Sequence, residues 1–244
     1  MDTRVHVVCN PKGGVGKTRV TMNLAATTAY VRDPERERAT TVAVACVDRQ
    51  STGQFWASQA ANQAGKPLRF DFYQLDTDVA AIRDLAASGQ YEDIFIDTAG
   101  FRGRNAEVEE AAEYATDAIV PMNPDGSSLD PTEQIVTGLL IPRQIPYWIV
   151  VNDWDPRDGK KHLDDTFAWI DAHGWRRVAS PIRRFRAIAS APEDGLTAPD
   201  YASKTVRASA LHDFMQLGMS IGVGTVAMPQ QGGPAAVPAA EAGV

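Results

Sequence analysis

"VHVVCNPKGGVGKTRV", residues 5–20, decides the fold. A β-branched run, Val5 to Cys9, stops at Asn10 and Pro11; Gly13, Gly14 and Gly16 follow, and a helical pattern then runs from Lys17 to Arg32. Strand, glycine-rich turn and helix in that order are the context of a phosphate-binding loop. The glycines let backbone N–H groups converge on phosphate oxygens, and a helix starting near Gly16 adds its positive dipole end. The cradle is then Gly13, Gly14, Val15 and Gly16, with Lys17 on the β- and γ-phosphates of a nucleotide and the Thr18 hydroxyl on Mg²⁺. Such a loop needs one lysine. Lys12, five positions before Lys17, must do something else.

Working outward, short apolar runs alternate with helical patterns. Strands are expected at 5–9, 40–47, 93–97, 118–121 and 147–151, and helices at 17–32, 77–88, 105–114 and 130–140, with a closing helix at 203–219. Strands that are apolar almost throughout, separated by helices, predict a doubly wound α/β fold: a mostly parallel sheet with helices on both faces. In "LDPTEQ", Asp130 is expected as N-cap, Pro131 at the first helical position and Glu133 three residues after the cap. The 244 residues, 44% hydrophobic, suffice for one domain over 1–221. Residues 222–244 are Pro-, Ala- and Gly-rich with a single charge, which predicts a disordered tail. A net charge of −7 excludes a protein coated in basic surface. Cys9 and Cys46 sit in apolar runs and read as buried thiols of a reducing compartment, and no stretch of eighteen apolar residues occurs; the expectation is a cytoplasmic protein. His162, His173 and His212 lack ligand spacing, and Trp148, Trp169 and Trp175 read as packing residues.

Four further stretches carry chemistry. "YEDIFIDTAG" (91–100) brings Asp97 to the carboxyl end of a strand, beside the phosphate loop. "VACVDRQSTGQFW" (44–56) holds Asp48, "WIVVNDWDPR" (148–157) ends a strand at Asn152, and "AIVPMNPDGSSLDPTEQ" (118–134) reads as strand, loop and capped helix. In the phosphate loop, Pro11 replaces the first glycine of the general Walker pattern, and a lysine immediately precedes the glycine pair.

With these motifs in order, the chain resembles the ParA/MinD superfamily of deviant Walker A partition and positioning ATPases over about residues 4–219, in the short form with no helix-turn-helix before the loop. The resemblance implies a P-loop NTPase fold of the SIMIBI kind, with ATP and Mg²⁺ as cofactors. It implies that Lys12 crosses a dimer interface to the partner's nucleotide, acting like an arginine finger. Asp97 would hold Mg²⁺ through water, Asp48 would orient the attacking water near the metal, and the Gly100 backbone would sense the γ-phosphate. Cys46 stands where the family has a first aspartate, Arg49 replaces a proline, and Arg19 replaces a Ser or Thr that touches the α-phosphate. Asn152 would read the adenine edge; the alternative is an Asn capping a strand end.

Between Trp175 and Ala210 lie seven basic residues, Arg176, Arg177, Arg183, Arg184, Arg186, Lys204 and Arg207, against three acidic ones. Such a patch can bind DNA non-specifically; the alternative is a solvated face whose arginines pair within the molecule. The resemblance implies an ATP-dependent homodimer that binds non-specific DNA, associates with the nucleoid, and segregates a plasmid or chromosome with a centromere-binding ParB-type partner that stimulates slow hydrolysis. A MinD-like membrane switch needs a basic C-terminal amphipathic helix, and residues 222–244 contain no Lys or Arg, so no membrane partner is expected. Reductase relatives need cluster cysteines, and ligase relatives lack the lysine matched by Lys12. A positioning ATPase with a protein assembly as cargo stays open.

Overall fold

The computed structural model describes residues 2–35, 40–48, 52–62, 67–76, 78–100 and 106–223. Six parallel strands form one sheet: β1 (Arg4–Val8), β2 (Val42–Cys46), β3 (Asp71–Gln74), β4 (Asp93–Asp97), β5 (Asp117–Met122) and β6 (Tyr147–Val151), in the order β3-β2-β4-β1-β5-β6. The helices are α1 (Lys17–Arg32), α2 (Thr52–Asn62), α3 (Ala80–Ala87), α4 (Ala106–Glu113), α5 (Leu129–Ile135), α6 (Lys161–Ala172), the short α7 (Arg186–Ala189) and α8 (Ala191–Asp194), and α9 (Lys204–Ser220).

The strands are apolar on both sides because the sheet has a core on each face. Val5, Val7, Ile94, Ile96 and Val120 face Val108 of α4, Ile135 of α5 and Ile170 of α6. Their alternates Val8, Phe95, Ile119 and Val150 face Leu24 of α1, Trp56 of α2 and Phe214 of α9. After β1 the chain crosses to β2, then returns to lay β4 between them. That reversal is the crevice where such sheets bind ligands. In register, Asp97 at the end of β4 stands beside Val8 of β1 and Cys46 of β2.

Five elements go beyond the expected set, the four-residue helices α7 and α8 among them. Strand β3, "DFYQ", is half-buried throughout and pairs only with β2, so it lacks an apolar run. Helix α2 buries only Gly53, Trp56 and Ala60, and α6 only Leu163, Thr166 and Ile170, too sparse a pattern to stand out. The N-cap expectation at Asp130 is corrected: a 3₁₀ turn, Gly126–Ser128, leads into α5, which begins at Leu129, so Asp130 falls within the first turn. The end of α5 widens into a π turn, Val136–Leu140, where Ile141 N donates to Val136 O at 2.9 Å. The free edge of β6 is covered by residues 176–184, through Val178 N to Ile149 O at 2.9 Å and Ile182 N to Val151 O at 2.8 Å.

Of the expected tail, only Gly222 and Val223 are described; Val223 is buried and its N–H closes α9 on Gly218 O at 2.8 Å. The rest, with Arg49 and Gln50 of the second acidic motif, lies outside the described residues. Among the described residues no helix is long and apolar enough to cross a membrane.

Candidate functional site

A cavity of about 900 Å³ opens at the carboxyl edge of the sheet over the turn between β1 and α1. Lys12, Gly13, Gly14, Gly16, Lys17, Thr18, Arg19, Asp48 and Gly100 all line it. Gly14 and Gly16 have φ of 79° and 87°, the left-handed region that glycine enters without strain. Gly16 also packs against the Asn152 amide so closely that a Cβ there would collide with it. Helix α1 has no side-chain N-cap and no acidic residue in its first turn, so its N-terminal N–H groups face the cavity with their positive dipole end uncompensated.

Lys17 lies buried at the base, where its Nζ donates to Lys12 O at 3.1 Å. Burial pushes its pKa down, against the charge of Asp97. Asp97 is buried; Thr21 Oγ1 donates to its Oδ1 at 3.5 Å, and the Cys46 thiol lies 3.8 Å from its Oδ2. Burial pushes the Asp97 carboxyl up to about 7, with Asp48 adding to the rise while a Thr18 hydrogen bond and Lys17 oppose it. A buried carboxylate so under-compensated fits a cation. Two carboxylates and a hydroxyl suit Mg²⁺, which keeps water and substrate phosphates as its other ligands; among the described residues no three His, Cys, Asp or Glu side chains are grouped so as to hold a metal by themselves. At Gly100 a Cβ would come within 3.2 Å of Gly13 Cα and 3.4 Å of Lys17 Nζ, so a side chain here would crowd the phosphate loop.

Three expected residues have partners that the sequence does not reveal. The Lys12 ammonium is held on its own chain by Asp125 Oδ1 (3.2 Å), Ser128 Oγ (3.0 Å) and Ser127 Oγ. Burial pushes the Asp125 pKa up, but the bonds from Ser127, Lys12 and Ser128 together with the Lys12 charge hold it below the usual range. Asn152 donates Nδ2 to Val15 O at 2.8 Å and so props the phosphate loop from below; its buried Oδ1 has no hydrogen-bond partner among the described residues. It is absent from the cavity wall. Arg19 does line the cavity, and its Nη1 pairs with Asp153 Oδ1 at 3.0 Å. Pro11, Thr52, Trp56, Thr98, Pro131, Gln134 and Pro192 complete the wall, and the sequence assigns none of them to the site.

The basic residues near the C-terminus do not form one free patch. Arg177 pairs with Asp171 at 2.8 Å, Arg183 with Asp213 at 2.7 Å and Arg184 with Asp153 at 2.9 Å, all carboxylates outside the 175–210 window. Arg176 lies over the Trp148 ring at 5.7 Å. Arg186, Lys204 and Arg207 form no ion pair with a described residue, and the first two are exposed.

No protein-family model matches the chain. A curated relative, maintenance of carboxysome distribution protein A from Gloeobacter kilaueensis, is 26% identical over 204 residues, 84% of this chain and 88% of the relative. Among solved structures, the septum site-determining protein MinD from Pyrococcus horikoshii, complexed with Mg-ADP, superposes with a TM-score of 0.65 at 18% identity, covering 90% of this chain and 96% of that one. An ATP complex of variant McdA from Cyanothece gives 0.63 at 14% identity, covering 93% and 99%. The likeness to the ParA/MinD superfamily read from the motifs thus extends to the fold.

Proposed function

We propose that the chain is a Mg-ATP-dependent ATPase of the ParA/MinD kind, in which ATP joins two copies and hydrolysis parts them, and that this cycle positions a cargo. One observation carries the reading: Lys17, Thr18, Asp48 and Gly100 line one cavity at the N-terminus of α1 and Asp97 stands buried at its base, while Lys12, also in the wall, is tied to Asp125. Mg²⁺ bound with the triphosphate supplies charge neutralisation at the transferring phosphoryl group. The protein does the rest. The α1 amides and Lys17 hold the phosphates, Asp97 and Thr18 face the metal position, and Asp48 orients water. Gly100 places a backbone amide against the loop, where it registers the last phosphate. That an ATP complex and a Mg-ADP complex exist for proteins of this fold supports both cofactors.

The Lys12 ammonium is held by Asp125, Ser127 and Ser128 of its own chain, and we read its charge as serving catalysis where a second copy meets the cavity. Leaving its cradle is a population shift that ATP drives only insofar as the paired state binds ATP better. The test is light scattering with Mg-ATP. The parent chain is expected to double its mass, and Lys12→Ala to stay monomeric with hydrolysis reduced at least tenfold, on the order of one lost charge contact. Unchanged dimerisation and turnover in the variant would remove the trans role.

The cargo has two readings. A plasmid or chromosome with a ParB-type partner follows from the motif pattern, with the paired chains held on the nucleoid by DNA. A protein assembly is favoured by the carboxysome-distribution relative. ATP-dependent retention on DNA is common to both; stimulation of hydrolysis by a centromere-binding protein is expected for the first alone.

A further inference from the structure

Asp153 sits between two cations that belong to different parts of the molecule. Its Oδ1 takes Arg19 Nη1 at 3.0 Å, and its Oδ2 takes Arg184 Nη2 at 2.9 Å and Nε at 3.1 Å. Arg19 comes from the first turn of α1 and lines the nucleotide cavity; Arg184 comes from the strip that covers the β6 edge and is exposed. The backbone around Asp153 is fixed. It follows Asn152, whose side chain props the phosphate loop, and holds φ at 61°, a left-handed conformation rare outside glycine. Arg184 N bonds back to Trp154 O at 2.7 Å, so its approach to Asp153 is set by the main chain as well.

We infer that Asp153 is a positioning residue shared between the nucleotide cavity and the protein surface, so that an anion taken up at Arg19 and an anion taken up at Arg184 oppose one another. This rests on the nucleotide reading above. One carboxylate cannot fully neutralise two guanidinium groups. A phosphate that draws Arg19 leaves Asp153 to close on Arg184, which then receives a second anion less readily. A polyanion that draws Arg184 leaves Asp153 to hold Arg19, and a nucleotide must compete for it. The coupling is reciprocal by thermodynamic necessity. Arg184 thereby makes Arg19 available: without it, a whole carboxylate charge turns on the cavity arginine.

The experiment is Mg-AMPPNP affinity, read by the fluorescence of cavity-lining Trp56, in the parent, Arg184→Ala, Asp153→Asn and the double variant. Arg184→Ala is expected to weaken binding about threefold to tenfold, the low range for coupling between contacting charges near solvent. Asp153→Asn keeps the shape and removes the charge, so adding Arg184→Ala to it should change nothing further. Heparin should weaken AMPPNP binding in the parent and lose that effect in Asp153→Asn. Equal weakening by Arg184→Ala in both backgrounds, or none in the parent, overturns the inference while the nucleotide site stands. A correctly folded parent that binds no AMPPNP overturns both.

Discussion

At the scale of single residues, the cavity is built at the expense of stability. Asp97 is buried beside Asp48, and the Thr18 and Thr21 hydroxyls, the Lys17 charge and a thiol 3.8 Å away do not offset that burial. Its carboxyl moves from an ordinary 3.8 to about 7, so the folded protein prefers the protonated form. Sign follows directly: the penalty is absent below 3.8, grows between 3.8 and about 7, and is complete above that. Asp97→Asn, which resembles the protonated acid, should therefore stabilise the metal-free, nucleotide-free protein. The gain should be at most on the order of 4 kcal/mol at pH 8 and should nearly vanish by pH 4. Thermal unfolding in EDTA across that range checks it; a variant less stable than the parent at pH 8 refutes it. The same variant should lose Mg²⁺-dependent nucleotide binding, separating stability from function at one carboxylate. Lys17, Thr18 and Asp97 were legible in the sequence because each sits at a fixed place in a strand–turn–helix pattern. Asp125, Ser127 and Asp153 were not, because what they touch lies at least 113 positions away: Lys12 for the first two, Arg19 for the third.

Among the elements, β1, β4 and β5 are joined by charge at the end opposite the cavity. His6 of β1 is fully buried, stacked on Phe95 at 4.8 Å, with Nδ1 2.8 Å from Asp117 Oδ1 and Nε2 2.9 Å from Asp93 Oδ1. With a carboxylate at each nitrogen both donate, so the ring is an imidazolium. Burial pulls its pKa down, but the bonds to Asp117 and Asp93 raise it above the ordinary 6.5. Asp93, likewise disfavoured by burial, is held below 3.8 by His6 and by the charges of Arg32 and Arg4. The His6 contribution is thus complete below 6.5 and lost as pH rises through its folded value; that of Asp93 is complete above 3.8 and lost as pH falls. His6→Gln leaves two buried carboxylates short of a charge, and we expect it to lower unfolding free energy by about 3 kcal/mol at pH 6. The deficit should shrink once pH rises through the folded His6 value, where the parent ring also loses its proton. Urea midpoints against pH decide it, and a pH-independent deficit would mean that His6 acts by packing alone. Periodicity revealed five strands and five helices because those elements bury continuous apolar runs or stripes. It missed β3, α2 and α6, whose buried positions are few, and α7 and α8, which are four residues each, and it misplaced the start of α5 because Ser128 spends its hydroxyl on Lys12 and Asp125 instead of capping.

The whole molecule is acidic, with a net charge of −7, and any DNA contact has to be made by a minority of its cations. Counting charges along the chain between 175 and 210 overstates the supply, because folding brings Asp171 and Asp213 onto Arg177 and Arg183, and Asp153, shared with Arg19, onto Arg184 in part. A guanidinium already neutralised by a carboxylate releases few counterions when it meets a phosphate, so it adds little to salt-dependent affinity. Arg183 is the clearest case: its fork grips Asp213, whose side chain is only 4% exposed. Arg183→Ala should therefore act on the fold, lowering stability by about 1–3 kcal/mol through a stranded carboxylate, and should leave the salt slope of DNA binding unchanged. Arg186→Ala with Lys204→Ala removes two cations that make no ion pair with a described residue. If DNA is bound here, that pair should flatten the slope of log affinity against log salt by about 2 per chain, with no shift in melting temperature. Titrating ATP-loaded protein onto DNA between 50 and 200 mM salt, on the order of the range where such slopes are read, compares the two. Equal flattening by both variants would show that Arg183 leaves Asp213 when DNA arrives, and a slope moved by neither would take the DNA surface off this face of the molecule.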